Sequence, residues 1–190
     1  MRSNEDRQRA IRFAQEKLSQ KPLYLDTETT GLGPADEIVE IAILDPEGQA
    51  LLDSLVRPTQ RISPDAFAVH GITDEMLTGA TTWAELWPQV AAIIQGRQLA
   101  IYNADFDLRL MRQSHRRHML PWRPDIANAF CIMKLYAQFY GDWNASKMDY
   151  RWYSLDAAGR QCRISLPNKH RAKDDAALAR AVLLHIAGEG

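Results

Sequence analysis

Residues 24–32 read YLDTETTGL, an apolar approach followed by two carboxylates, Asp26 and Glu28, two positions apart. In a strand, residues two apart project from the same face, so both acids point at one place. Two like charges about 5 Å apart at an effective dielectric near 20 repel by roughly 3 kcal/mol, a large fraction of a domain's net stability. One resolution is structural: one acid closes the turn and the other pairs with a distant Lys or Arg. The sequel TTGL supplies a turn but no cation, which favours a bound metal, and hard divalent ions such as magnesium take oxygen ligands.

Two later stretches pose the same problem on helices. Residues 102–118, YNADFDLRLMRQSHRRH, continue from a predicted strand. Helical spacing puts Asp105 with Arg109, Arg112 and Arg116 on a solvated, salt-bridged face, and Asp107 with Ala104, Leu110 and Met111 on an apolar stripe. A charge on an apolar stripe needs a partner, which makes Asp107 the candidate. It also lies just past the end of a strand, where α/β sheets place their ligands. In residues 170–187, HRAKDDAALARAVLLHIA, Asp175 is the polar member of a stripe formed by Ala172, Ala179, Val182 and Ile186, while Asp174 falls on a mixed face with Arg171, Leu178 and His185. His170, at or just before the helix start, is either within reach of Asp175 or an ordinary surface residue. Three acidic sites at the edges of apolar elements, with one histidine nearby, suit phosphodiester hydrolysis by two divalent ions about 3.5–4 Å apart. A histidine, with a reference pKa near 6.5, can take the proton of the attacking water.

The rest of the chain reads as one α/β domain. Its 190 residues, 46% hydrophobic with a formal net charge of −1, are ordinary for a soluble globular protein and sufficient for a full core. A balanced charge leaves any nucleic-acid contact to a local patch or to metal ions. No apolar run approaches the roughly 18 residues of a membrane span, and the start MRSNEDRQRAIRFAQ has no signal-peptide core, so a cytoplasmic protein without a membrane partner is expected. Cys131 and Cys162 form no disulfide framework or metal-ligand spacing and are expected to be reduced. Periodicity predicts a helix over 3–20, strands over 21–28, 37–45, 50–58 and 98–103, and helices over 82–95, 104–118, 131–140 and 171–187. Strands followed by alternating helices indicate a mixed sheet.

YLDTETTGL, YNADFD and HRAKDDA, in this order and at these separations, resemble the three motifs of the DnaQ-like, or DEDDh, 3′ to 5′ exonucleases, and AFAVHGITDEML at 66–77 resembles a further segment of that family. The likeness runs from about Pro22 to Ile186. It implies a ribonuclease H-like α/β fold, a mixed five-stranded sheet flanked by helices, with residues 21–190 as the exonuclease domain and residues 1–20 as an added N-terminal helical appendage. It further implies that Asp26, Glu28, Asp107 and Asp175 bind two divalent ions, Mg2+ or Mn2+, that His170 is the general base, and that Thr29 and Leu32 line the terminal nucleotide's pocket. The expected reaction releases nucleoside 5′-monophosphates from single-stranded or frayed 3′ ends, with DNA favoured over RNA. The alternatives are an exoribonuclease acting on short RNA and a non-catalytic nucleic-acid-binding module. The chain departs from the family pattern in three places. Tyr102 stands where many relatives have histidine, Cys131 stands where many have aspartate and is expected to pack, and the aromatic-rich stretch 140–155, YGDWNASKMDYRWYSL, exceeds the shorter linkers of proofreading subunits. Arg112, Arg116 and Arg117 read as a solvated helix face or a phosphate guide, and Trp143, Trp152 and Tyr153 as loop anchors or base-stacking rings.

Overall fold

The computed structural model of the chain describes residues 2–122, 128–166 and 170–188, with side chains from Asn4 onward. In chain order the elements are α1 (Arg2–Ser19), β1 (Leu23–Thr29), β2 (Ile38–Leu44), β3 (Ala50–Arg57), α2 (Pro64–His70), β4 (Thr81–Thr82), α3 (Trp83–Ile94), β5 (Leu99–Ile101), α4 (Ala104–Arg117), β6 (Ala129–Cys131), α5 (Ile132–Tyr140), β7 (Trp143–Asn144), β8 (Asp149–Tyr150), α6 (Leu155–Gln161) and α7 (Ala172–Ala187). Six strands form one sheet in the order β4-β3-β2-β1-β5-β6. β1, β2 and β3 run antiparallel as a meander, and β5 and β6 add parallel to β1. The four strands read from periodicity are β1, β2, β3 and β5; β6, which periodicity did not place, makes the fifth that the family likeness implies, and the two-residue β4 extends the far edge to six.

Strand pairing sorts the side chains onto two faces. Leu23 and Leu25 of β1, with Ile41 and Ile43 of β2, pack under α3 and α4. Tyr24 and Leu44 face the opposite way, into a core built from α1, α5, α6 and α7. Because both faces are covered, β2 shows no alternation and every one of its residues is buried. Local chemistry fixes the boundaries. Thr82 and Glu85 form a reciprocal capping box at the start of α3. Ser63 caps α2, whose end is set by Gly71 in the left-handed region, φ 68°. Among the described residues no helix is long and apolar enough to cross a membrane.

The stretch 140–161 holds two features that the periodicity did not predict, the β7–β8 hairpin and α6. Both are short, and a two-residue strand carries no readable alternation. The expected ion pairs around Asp105 are corrected. Asp105 is exposed, but it pairs with Lys134 of α5 at 2.6 Å, while Arg109 donates to the Leu32 carbonyl and Gln113, and Arg112 lies over the Trp122 ring. Helical spacing records which residues share a face, and here a neighbouring helix offered Asp105 the nearer cation.

The N-terminal helix packs against α5 and α7, with Ala10 and Ala14 fully buried in the core and Gln15 donating to the Ala187 carbonyl at 3.0 Å. Ala14→Glu places an unpaired charge in that contact and is expected to cost about 3–5 kcal/mol, whereas Arg12→Glu on the exposed side is expected to change stability by less than about 0.5 kcal/mol. Urea denaturation of the two variants checks this. Equal midpoints would show that α1 contributes nothing to the fold.

Candidate active site

The β1–β2 register sets Asp26 beside Ala42 and Glu28 beside Glu40, so three carboxylates rise from one face at the end of the strands. α7 crosses that face on small residues, Ala172, Ala176 and Ala179, each buried, which lets its backbone approach the sheet and delivers Asp175 to the same place. Asp26, Glu28 and Asp175 each present an oxygen within 4.8 Å of the others. All the donors are hard oxygens, as Mg2+ or Mn2+ requires, so the group fits a divalent cation. Asp107 enters from the first turn of α4. It is 3% exposed and lies outside the converging triplet, and one of its oxygens accepts the Thr27 hydroxyl at 2.8 Å. It lines the same cleft, of about 320 Å3, together with Tyr102, Asn103, Phe106, Ser154 and Asp156.

His170 sits on the rim of this cleft, exposed and in the left-handed region at φ 50°, with Nδ1 3.9 Å from an Asp175 oxygen. A non-glycine residue holds that conformation only where its surroundings fix it. The fixing contact comes one residue later. The Arg171 guanidinium donates to both oxygens of Glu40, and the Ala172 amide at the start of α7 donates to Glu40 Oε2 at 2.9 Å. Glu40 is 2% exposed. Sequence reading passed over Glu40 and Arg171, although a lone acid inside IVEIAIL was the available signal.

Three of the acids, Asp26, Glu28 and Asp107, resist ionisation. Burial pushes Glu28 up to about 9, with Asp175, Glu40 and Asp107 adding to the shift and Arg171 opposing it. Burial likewise raises Asp107 to about 7 against the Thr27 hydroxyl and backbone amides, which favour its charged form. Asp26 is raised by burial first and then by Asp107, Glu28, Asp175 and Glu40. A cation would relieve all of these at once.

A second hollow, of about 410 Å3, adjoins the first through Thr27, Glu28 and Phe106 and is lined by Thr29, Leu32, Ala66, Val69 and His70. Thr29 is buried and its hydroxyl donates to the Gly31 carbonyl, while Leu32 is 77% exposed on the loop. The loop is rigidly tied. Asp36 accepts from Thr30 and from the Gly33 amide, and a Cβ on Gly31 would come within 2.8 Å of its carboxylate. The Ile72 amide donates to His70 Nδ1, so Nε2 carries the proton and donates to the Thr29 carbonyl at 3.1 Å. Burial lowers the pKa of this imidazole and keeps it neutral. The departures from the family pattern are absorbed structurally. Tyr102 donates its hydroxyl to the Tyr153 carbonyl, and Cys131 Sγ donates to the Tyr102 carbonyl. Both cysteines are free. A wider groove bordered by Arg57, Arg61, Asp74 and Glu75 holds opposite charges and none of the acids above.

A mixed sheet flanked by helices in this order is the ribonuclease H-like α/β fold, and the acids gathered at the carboxyl end of its parallel strands form a group that could hold a divalent cation. The exonuclease family model RNase_T matches residues 23–183, and the chain belongs to this family as a DnaQ-like 3′ to 5′ exonuclease acting on nucleic acid. It is 36% identical to the uncharacterized exonuclease CP81 of Escherichia phage 186 over 93% of both chains. It is 31% identical to the PolC-type DNA polymerase III of Thermotoga maritima over 85% of this chain but only 11% of that polymerase. Among solved structures, exonuclease X in complex with 5′ overhanging duplex DNA matches at 29% identity and TM-score 0.65, over 87% of this chain and 90% of that one. The nuclease domain of 3′hExo, a DEDDh family member bound to rAMP, shares the fold at 18% identity and TM-score 0.71, over 90% of this chain and 93% of that one.

Between the ordinary 4.5 and about 9, the folded chain keeps a proton on Glu28 that the unfolded chain releases. The folded state therefore binds more protons, and the stability of metal-free protein falls as pH rises through that interval. In chelator, the melting temperature is expected to decrease across this range. Mg2+ or Mn2+ is expected to raise it most at the alkaline end, because the ion binds only the ionised, folded cluster. Melting curves with and without metal check this, and a metal effect independent of pH would separate the ion from these acids.

Proposed function

We propose that the protein removes nucleoside 5′-monophosphates one at a time from single-stranded or frayed 3′ ends of DNA. The observation that carries the reading is the convergence of Asp26, Glu28 and Asp175 within 4.8 Å beside His170. Asp26, Glu28, Asp107 and Asp175 are the ligands for two divalent ions, Mg2+ or Mn2+. When bound, such ions neutralise the scissile phosphate and acidify an attacking water. His170 receives that water's proton, and its exposure lets it pass the proton on to solvent. Thr27 holds Asp107 in the orientation a ligand needs.

The apolar hollow beside the acids supports a seat for the terminal nucleotide, with its base against Ala66, Val69 and Phe106 and Leu32 projecting over the entrance. Thr29 shapes the floor through its backbone, since its carbonyl and hydroxyl are engaged by His70 and Gly31. A terminal nucleotide reaches this hollow only when unpaired, which favours single-stranded or frayed ends. The relation to exonuclease X, whose solved complex contains DNA, favours DNA.

The arginines of α4 take no part in this reading. Arg117 donates to Thr59, and Arg116 stands nine residues beyond Asp107, about 14 Å along the helix axis and away from the cleft.

The test follows 5′-labelled single-stranded DNA and RNA of one sequence with Mg2+, Mn2+ or chelator. A metal-dependent ladder shortening from the 3′ end is expected, faster on DNA. A faster RNA ladder would move the substrate to short RNA, and binding without any ladder would leave a non-catalytic module. Asp107→Ala and Asp175→Ala are expected to abolish hydrolysis while Asp105→Ala does not. His170→Gln is expected to slow the reaction by about 10²–10⁴-fold and to remove the acid limb of its pH profile. Comparable losses at Asp105 and Asp107 would overturn the ligand assignment.

A further inference from the structure

The two hollows give the cleft a direction. The apolar seat lies on the α2 side of the acids, and Tyr102, Ser154, Leu155 and Asp156 close the opposite side. A strand whose last nucleotide occupies the seat must leave across that opposite rim. Trp152 stands two residues before Ser154, with its side chain 52% exposed. The ammonium of Lys134 lies 5.8 Å from the centre of its ring. Lys134 belongs to the first turn of α5, directly after β6, and β6 runs parallel to β5, so it emerges at the same end of the sheet as Asn103, Phe106 and Asp107.

The segment carrying Trp152 is rigidly held although the ring is not covered. The Tyr102 hydroxyl donates to the Tyr153 carbonyl at 2.9 Å, the Arg151 amide donates to the Asp142 carbonyl, and the Asp142 carboxylate accepts the Tyr153 hydroxyl and pairs with Arg151 at 3.1 Å. These contacts pre-orient a ring that makes little use of its area within the chain. Lys134 is likewise held in place by Asp105, at 2.6 Å. Both partners of that pair are exposed, so it contributes little to stability and yields readily to a phosphate.

We propose that the Trp152 ring and the Lys134 ammonium form a seat for the single strand of DNA leaving the cleft on the 5′ side of the terminal nucleotide, the ring stacking on a base and the ammonium meeting the backbone phosphate. The proposal rests on the exonuclease reading for the direction of the strand. Stacking on an aromatic face tolerates any base, as an enzyme moving along a strand requires.

Fluorescence anisotropy with Ca2+ in place of Mg2+ measures binding of labelled oligothymidylate of about twelve nucleotides, and of a thymidine dinucleotide, separately from cleavage. Trp152→Ala is expected to weaken the longer strand about tenfold and the dinucleotide far less, with Trp152→Phe recovering most of the loss. Lys134→Ala is expected to lower the slope of log affinity against log salt by about 0.7, the share of one phosphate contact on a single strand. Met119→Ala, which removes another exposed apolar side chain remote from the cleft, serves as the control. Equal weakening of both lengths, or no weakening of the longer strand in either variant, would overturn the seat. Absence of any cleavage by the unmodified protein with Mg2+ or Mn2+ would instead overturn the exonuclease reading, and the anisotropy result would still decide whether the seat exists.

Discussion

Like charges crowded at a half-buried strand end are the constraint around which this molecule is built. Asp26 and Glu28 share a face of β1, Glu40 stands beside Glu28 across the strand pair, and Asp175 is pressed onto them by α7. Burial raises the cost of ionising Glu28 most, and Asp175, Glu40 and Asp107 raise it further. The arrangement is tolerable because the four carboxylates are not treated alike. Glu40 is paired with Arg171 and with the Ala172 amide at the start of α7, which leaves the other acids available for a cation.

The Glu40 contact also connects the sheet to the catalytic rim. α7 could slide or rotate on the small side chains that let it approach β1 and β2, since alanines offer little interlock. A charge-assisted bond at its first turn, reinforced by the positive end of the helix dipole, fixes both its position along the sheet and its rotation. The same bond stands next to His170 and holds the chain where a left-handed residue is required. The positions of Asp175 and His170 thus depend on one carboxylate outside the proposed ligand and base set.

Much of this was legible in the sequence, and the limits have physical causes. Asp107 and Asp175 were distinguishable from Asp105 and Asp174 because helical periodicity exposes a charge on an apolar stripe, and the structure buries the first pair. The β1 acids were legible because strand geometry alone puts residues two apart on one face. Glu40 escaped notice because a single acid in an apolar strand gives no clue to its partner, and Arg171 lies 131 residues away along the chain. The partner of Asp105 was misjudged for the same reason, since Lys134 comes from another helix. The hairpin and α6 were missed because they are too short for periodicity to register, and their positions are set by side-chain bonds such as Tyr153 to Asp142.

The site divides into a fixed side and an open side, and the division follows from what each group must do. Asp107 is clamped by Thr27 and Asp175 is carried on a helix anchored at its first turn, and in the proposed ligand role this fixity has a use, because a ligand that moves loses its geometry and with it the electrostatic advantage of a prepared site. His170, Leu32 and Trp152 are exposed for the opposite reason. In the proposed roles, a base that takes a proton in every cycle returns it to water, and rings or apolar tips that receive a strand stay uncovered by the protein itself. His170 Nδ1 stands 3.9 Å from an Asp175 oxygen, too long for a hydrogen bond, so that contact does not cover the open side of the ring.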